Sequence, residues 1–193
     1  MAQKAKKLSL KLKIRDICFI SVFTAVIAVS AQVSVPLPGG VPVTMQTFAV
    51  PLAGIILGAK RGALAVFIYI LLGAMGVPIF SMFRGGFGVI FGATGGFILA
   101  FPLVALLAGI AADISANKKR VIQSVLIPAG LVLGTVINYT GGILMFCAIT
   151  SMNINEAFAL CVAPFILPDI LKIILAGGIG VSARTILVRN KIL

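Results

Sequence analysis

Residues 164–174 read PFILPDILKII and place Asp169 and Lys172 inside an apolar run about long enough to cross a membrane. A charge in the bilayer costs several kcal/mol unless it is paired or faces a polar cavity. Because residues three apart share one face of a helix, both side chains should point into the same cavity. The alternative is a private ion pair that only allows the helix to insert. Pro164 and Pro168 remove backbone donors beside the pair, which favours a binding cavity.

The composition around this segment is that of an integral membrane protein. The chain has 193 residues, of which 61% are hydrophobic and 10% are charged. Its mean hydropathy is +1.22. A soluble domain of this length could not bury so much apolar surface. We therefore expect an all-α bundle of six transmembrane helices, which forms a single membrane domain over residues 1–193. The predicted spans are residues 17–35, 45–58, 62–80, 89–110, 121–149 and 158–188.

The basic residues indicate how the bundle is oriented. The net charge is +12, but the cations lie in short clusters between hydrophobic runs, which is typical of membrane topology and not of nucleic-acid binding. All of the 16 basic residues except Arg84 and Lys172 fall on one face of the six-span arrangement. By the positive-inside rule, both termini are cytoplasmic. Residues 1–15 then form a basic cytoplasmic arm that lies on anionic lipid headgroups.

The remaining composition gives little basis for catalysis or metal binding. Histidine is absent, which removes the commonest metal ligand and general base. The three cysteines, Cys18, Cys147 and Cys161, lie in apolar stretches without CxxC spacing and are interpreted as buried hydrophobic residues. The glycine-rich passage at residues 81–97 lacks the Lys-Ser/Thr ending of a phosphate-binding loop. We expect no enzymatic activity, no cofactor, no metal site and no nucleotide site in this chain.

Two further segments carry hypotheses about binding. The loop at residues 36–44, PLPGGVPVT, cannot be helical and could cap a site on the outer face. The first helix has small side chains at i,i+4 spacing, which allow either a partner helix or an internal helix to approach closely. These side chains are Ser21 with Ala25 and Thr24 with Ala28.

Long blocks of the chain resemble one family. Residues 41–80 read VPVTMQTFAVPLAGIILGAKRGALAVFIYILLGAMGVPIF, residues 84–103 read RGGFGVIFGATGGFILAFPL, and residues 164–172 read PFILPDILK. Together they resemble the BioY family, the biotin-specific S components of energy-coupling factor (ECF) vitamin transporters. The resemblance implies a multi-pass subunit of a prokaryotic cell membrane. Such a subunit captures biotin from outside and delivers it inward with a transmembrane coupling protein and two ATPases.

The resemblance also implies a set of site residues. Asp169 and Lys172 would contact the vitamin, the lysine through the biotin carboxylate and the aspartate through the N–H groups of the ureido ring. The loop between the first two helices would act as a lid. The side chains implied to line the pocket are Gln46, Tyr139 and, within residues 80–86, Ser81, Arg84 and Gly85. Those implied to dock the coupling protein are Ser21, Thr24, Ala25 and Ala28.

Three other functions remain open from the residues themselves. The chain could be an S component for another vitamin, such as riboflavin or thiamin. It could also be a self-sufficient secondary transporter driven by protons through Asp169. A structural membrane protein without a ligand is the third alternative.

Overall fold

The computed structural model describes residues 13–37, 39–116, 118–190 and 192. In chain order the elements are α1 (Ile14–Gln32), β1 (Ser34–Val35), β2 (Val43–Thr44), α2 (Gln46–Leu57), α3 (Ala59–Ala74), a 3₁₀ turn (Ser81–Phe83), α4 (Phe87–Ile90), α5 (Gly95–Ser115), α6 (Arg120–Thr150), α7 (Ile154–Cys161) and α8 (Ala163–Arg189). The prediction of an all-α membrane protein is confirmed. Residues 1–12, most of the expected basic arm, lie outside the described part of the chain.

Four of the described helices, α1, α5, α6 and α8, are long and apolar enough to cross a membrane. The helices α2 and α3 have 12 and 16 residues, so they extend only about 18 Å and 24 Å, less than a hydrocarbon core of about 30 Å. The chain reverses between them at Gly58, whose φ of 83° is readily adopted only by glycine. The count of six spans and the cytoplasmic position of both termini stay predictions.

Several predicted helix boundaries differ from the structure, including that of the first span, which ends at Gln32 instead of residue 35, and three differences coincide with a proline or glycine. The third helix ends at Ala74 instead of residue 80, because Pro78 lacks a backbone donor and also disfavours a helical residue before it. The fourth span divides into α4 and α5 around the glycines of residues 92–96. The sixth span breaks at Val162, where φ is −128°. Pro164 then starts α8 at a position that needs no N–H donor.

Helix α5 is the centre of the bundle. In its membrane-length window 56% of residues are buried, compared with 28% or less in α1, α6 and α8. Small residues bring the short helices against it, because a Cβ on Gly54 of α2 would overlap the backbone of Ala105 in α5. A Cβ on Gly62 of α3 would overlap Gly54 in the same way. Close backbone approach of this kind is how helices associate where lipid removes the hydrophobic driving force.

The two ends of the bundle differ in chemistry. Ion pairs join Asp16 to Arg61 and Asp113 to Arg184, and the Ala59 N–H donates to Asp113 Oδ2 at 3.0 Å. The starts of α1 and α3 and the ends of α5 and α8 therefore share one end. At the opposite end β1 and β2 pair in antiparallel register, Ser34 with Thr44 and Val35 with Val43. This hairpin closes the base of the predicted lid, residues 36–44, beside the start of α2.

Candidate functional site

The site begins with the ion pair on α8. Lys172 Nζ lies 2.9 Å from Asp169 Oδ1, one helical turn away, and the two side chains are only 9% and 2% exposed. The interior of α8 contains Pro168 directly before the aspartate. The structure therefore brings the two predicted residues together on one buried face, as their spacing requires.

Side chains from other helices complete the environment of the Asp169 carboxylate. The Thr47 hydroxyl, on α2, donates to Oδ1 at 2.8 Å, and the Tyr139 hydroxyl, on α6, donates to Oδ2 at 2.7 Å. With Lys172, Asp169 thus accepts three charge-assisted hydrogen bonds. An ionised carboxylate offers about four lone-pair positions. One acceptor position remains for a further donor.

The ammonium of Lys172 is satisfied within the protein. Besides Asp169, Nζ donates to the Thr44 carbonyl oxygen at 2.7 Å and to Thr47 Oγ1 at 3.1 Å. An ammonium has three hydrogens, so these three acceptors use all of them. Lys172 thereby ties α8 to the end of β2 and to the first turn of α2.

A cavity of about 600 Å³, including its open mouth, lies on the Asp169 side of this network. Its enclosed space is only about 60 Å³, below the roughly 300 to 1,000 Å³ of the usual small-molecule pocket, so a ligand of that size requires the wall to open. Lys172 is not among the described residues that line the cavity. Apolar atoms form most of the surface of the wall, although nine of its seventeen described lining residues have polar side chains. The lining residues are Val41, Pro42, Thr44, Gln46, Thr47, Phe80, Ser81, Arg84, Val89, Thr94, Phe97, Ile98, Phe101, Asn138, Tyr139, Phe165 and Asp169.

Two polar residues of the loop after α3 line the mouth of the cavity. Arg84 is exposed, its Nε donates to the Ser81 carbonyl oxygen at 3.2 Å, and no carboxylate within the described residues forms an ion pair with it. Ser81 is buried, and its hydroxyl has no hydrogen-bond partner in the described part of the chain. This part of the wall therefore combines an exposed cation with a buried hydroxyl for which the described residues provide no partner.

Of the other two predicted pocket residues, Gln46 lines the cavity and Gly85 does not. Gln46 lines the cavity, donates to the Tyr69 hydroxyl at 2.8 Å and accepts from Thr44 Oγ1 at 3.2 Å. Gly85 lies outside the described lining, and a Cβ there would overlap the backbone of Val77. Gly85 thus allows the loop to pack against the end of α3.

Two lining residues with direct roles were missing from the predicted set. Thr47 bridges both members of the ion pair, and Asn138 donates to the Phe97 carbonyl oxygen at 2.8 Å across α5 and α6. The sequence indicated these two residues only by their polarity, since Thr47 lies in the first turn of α2 and Asn138 lies in the interior of an apolar span. That signal does not indicate which helix such a side chain meets.

The four predicted docking residues divide between two faces of α1. Thr24 is buried and donates to the Ala65 carbonyl oxygen at 3.0 Å, while Ala28 packs against the core. Ser21 and Ala25 are exposed. Thr24 and Ala28 thus pack inside the bundle, and of the four only Ser21 and Ala25 are open to a partner.

Comparisons with known proteins agree with this architecture. The sequence profile of the BioY family matches residues 2–189. The probable biotin transporter BioY of Pyrococcus horikoshii is 39% identical over 161 residues, 83% of this chain and 91% of that protein. The biotin transporter BioY of Thermotoga maritima is 38% identical over 170 residues, 88% and 96% of the two chains.

A solved structure shares the fold. The crystal structure of the S-component for biotin from an ECF-type ABC transporter superposes with a TM-score of 0.78. The match covers 92% of this chain and 95% of that one, at 22% sequence identity.

Proposed function

We propose, from the premise that the chain belongs to the BioY family, that it is the biotin-binding membrane subunit of an ECF transporter. It captures the vitamin from outside the cell and delivers it inward with an ATP-driven module. The observation that carries this proposal is Asp169, a buried carboxylate with one unused acceptor position at the wall of a largely apolar cavity. Biotin has complementary chemistry, namely ureido N–H donors, an apolar fused ring and a carboxylate tail.

The geometry favours one orientation of biotin in the cavity. A ureido N–H donates to Asp169 at the buried end, and the fused ring packs against Phe97 and Phe165. The carboxylate tail reaches the mouth, where the exposed Arg84 provides a cation close to the buried Ser81 hydroxyl. A guanidinium is well suited to pair with a carboxylate.

This orientation changes the role expected of Lys172. All three of its hydrogens are bonded within the chain, so it does not need the biotin carboxylate as a partner. Its ammonium instead orients the Asp169 carboxylate through the 2.9 Å hydrogen bond to Oδ1. Lys172 therefore supports the ligand contact that Asp169 makes.

The membrane arrangement that we propose has six crossings within a single domain over residues 1–193. The short α2 and α3 provide two of the crossings together with the non-helical segments at their outer ends, which are buried in the bundle at Val41 and Phe80. The end with Lys60, Arg61, Lys118, Lys119, Arg184 and Arg189 faces the cytoplasm by the positive-inside rule, so both termini are inside a prokaryotic cell membrane. The cavity then opens outward beneath the lid of residues 36–44.

The energy for uptake comes from partners in this proposal. A coupling protein in the membrane transmits ATP hydrolysis by two ATPases, and it docks on the exposed face of α1 that carries Ser21 and Ala25. An exposed stripe of small residues allows the close helix approach that such docking needs.

Titration of the detergent-purified chain with biotin tests the proposal. We expect saturable binding that riboflavin and thiamin do not displace. Asp169→Asn removes an ionised acceptor, so the affinity should fall about 10- to 100-fold, since hydrogen bonds to charged groups contribute roughly 1.5 to 3 kcal/mol. Asp113→Asn, at the other end of the bundle, is the matched control and should bind as the wild type does. Absence of biotin binding by the wild type would contradict the proposed function. Equal losses of affinity in Asp169→Asn and Asp113→Asn would contradict the assignment of Asp169 to the site.

A further inference from the structure

The loop that presents Ser81 and Arg84 to the cavity has an unfavourable backbone conformation. Met82 and Phe83 have φ values of 61° and 55°. Side chains with a Cβ rarely adopt this left-handed region, and neither residue is the asparagine or aspartate that tolerates it best. Such a conformation persists only where the surroundings impose it. Some other part of the chain must therefore hold the loop in place.

One side chain of α1 bonds to both sides of this loop. Gln32, the last residue of the helix, donates through Nε2 to the carbonyl oxygens of Ile79 at 3.1 Å and Phe80 at 3.2 Å. Its Oε1 accepts from the Phe83 backbone N–H at 2.9 Å. The amide therefore fixes the chain immediately before Ser81 and immediately before Arg84.

Backbone and side-chain bonds pass this constraint on to Arg84. The Phe80 N–H donates to the Arg84 carbonyl oxygen at 2.9 Å, and Arg84 Nε donates to the Ser81 carbonyl oxygen at 3.2 Å. Gln32 itself is not among the described residues that line the cavity. It therefore acts on the mouth of the cavity without contacting what lies inside.

We propose that Gln32 is the positioning residue for Arg84 and thereby sets the preference of the cavity for a ligand with a carboxylate tail. The inference rests on the proposed function, because it concerns the binding of biotin. Gln32 is also separated by only one residue from β1, so a single side chain joins the base of the lid to the cation at the mouth. A variant without the Gln32 amide still contains Arg84, but the strained loop at Met82 and Phe83 is no longer held.

Binding of biotin and of its uncharged carboxamide to the purified chain tests this inference. The wild type should prefer biotin by about 10-fold or more, as expected for a charge-assisted contact. Gln32→Met, which conserves the length and volume of the side chain, should remove most of this preference while it changes carboxamide affinity less than about 2-fold. Arg84→Ala should remove the preference as well. The double variant Gln32→Met, Arg84→Ala should show the same ratio of the two affinities as Arg84→Ala alone, because the effects of residues that act through one contact are not additive.

Two further variants separate positioning from a general structural role. Thr24→Val removes another side-chain hydrogen bond of α1, the one to Ala65, and should lower stability without changing the ratio of the two affinities. Gln32→Asn keeps an amide but shortens it by one methylene, and it should lose preference in the same direction as Gln32→Met. Full preference for biotin in either folded Gln32 variant, or equal losses for both ligands, would overturn the inference. Failure of the wild type to bind biotin would instead refute the proposed function, and the inference with it.

Discussion

Replacement of Lys172 by methionine should destabilise the protein strongly. The variant keeps most of the side-chain volume but removes the cation 2.9 Å from Asp169, whose side chain is only 2% exposed. Removal of one partner from a buried ion pair typically costs about 3 to 5 kcal/mol, because the remaining charge is left uncompensated. Asp169→Asn should have a loss of similar size, since it leaves the buried ammonium with only Thr44 and Thr47.

The double variant Asp169→Asn, Lys172→Met distinguishes an uncompensated charge from simple loss of contacts. It leaves no buried charge, so it should cost less than either single variant, and the coupling between the two should therefore exceed about 3 kcal/mol. Thermal unfolding in detergent measures these differences, with about 2 to 4 °C expected per kcal/mol for a chain of this size. The matched control is Asp113→Asn, which breaks the more exposed pair with Arg184 and should cost about 1 kcal/mol. The reasoning fails if the single variants are no worse than the control, or if their costs simply add.

Three other substitutions test the site and the packing. Ser81→Ala should leave the free energy of unfolding of the ligand-free protein unchanged or raise it by up to about 1 kcal/mol. It should nevertheless lower biotin affinity about 5-fold in titration, because the ligand would supply the partner that this hydroxyl lacks among the described residues. Gly54→Ala should destabilise by roughly 1 to 3 kcal/mol in thermal unfolding, because its Cβ would overlap the backbone of Ala105. Gly178→Ala, with no atom within 4 Å of the added Cβ, should be neutral or stabilising and is the control. Thr47→Val should lower both stability and biotin affinity, and unchanged titration and melting curves would show that its hydroxyl is dispensable.

Several features of this protein follow from the amino-acid sequence alone. Its apolar composition requires a membrane, because no soluble domain of this size could bury so much apolar surface. The three-residue spacing of Asp169 and Lys172 puts them on one helix face whatever that helix packs against. The prolines and glycines of residues 36–44 exclude a helix there, as the hairpin at its base shows. These conclusions depend on local geometry and on burial, both of which are properties of short segments.

The tertiary structure alone decided which groups meet at the site. Thr47 and Asp169 are 122 positions apart, and Gln32 and Phe83 are 51 positions apart. Helical periodicity shows which face of a helix a residue occupies, but not which helix that face meets or at what depth. The depth of Thr47 depends on how closely α2 approaches α5, and Gly54 allows that approach because it lacks a Cβ. The acceptors of Lys172 come from β2, α2 and α8, and the loop that carries Arg84 is bonded to α1, so neither arrangement is a property of one segment.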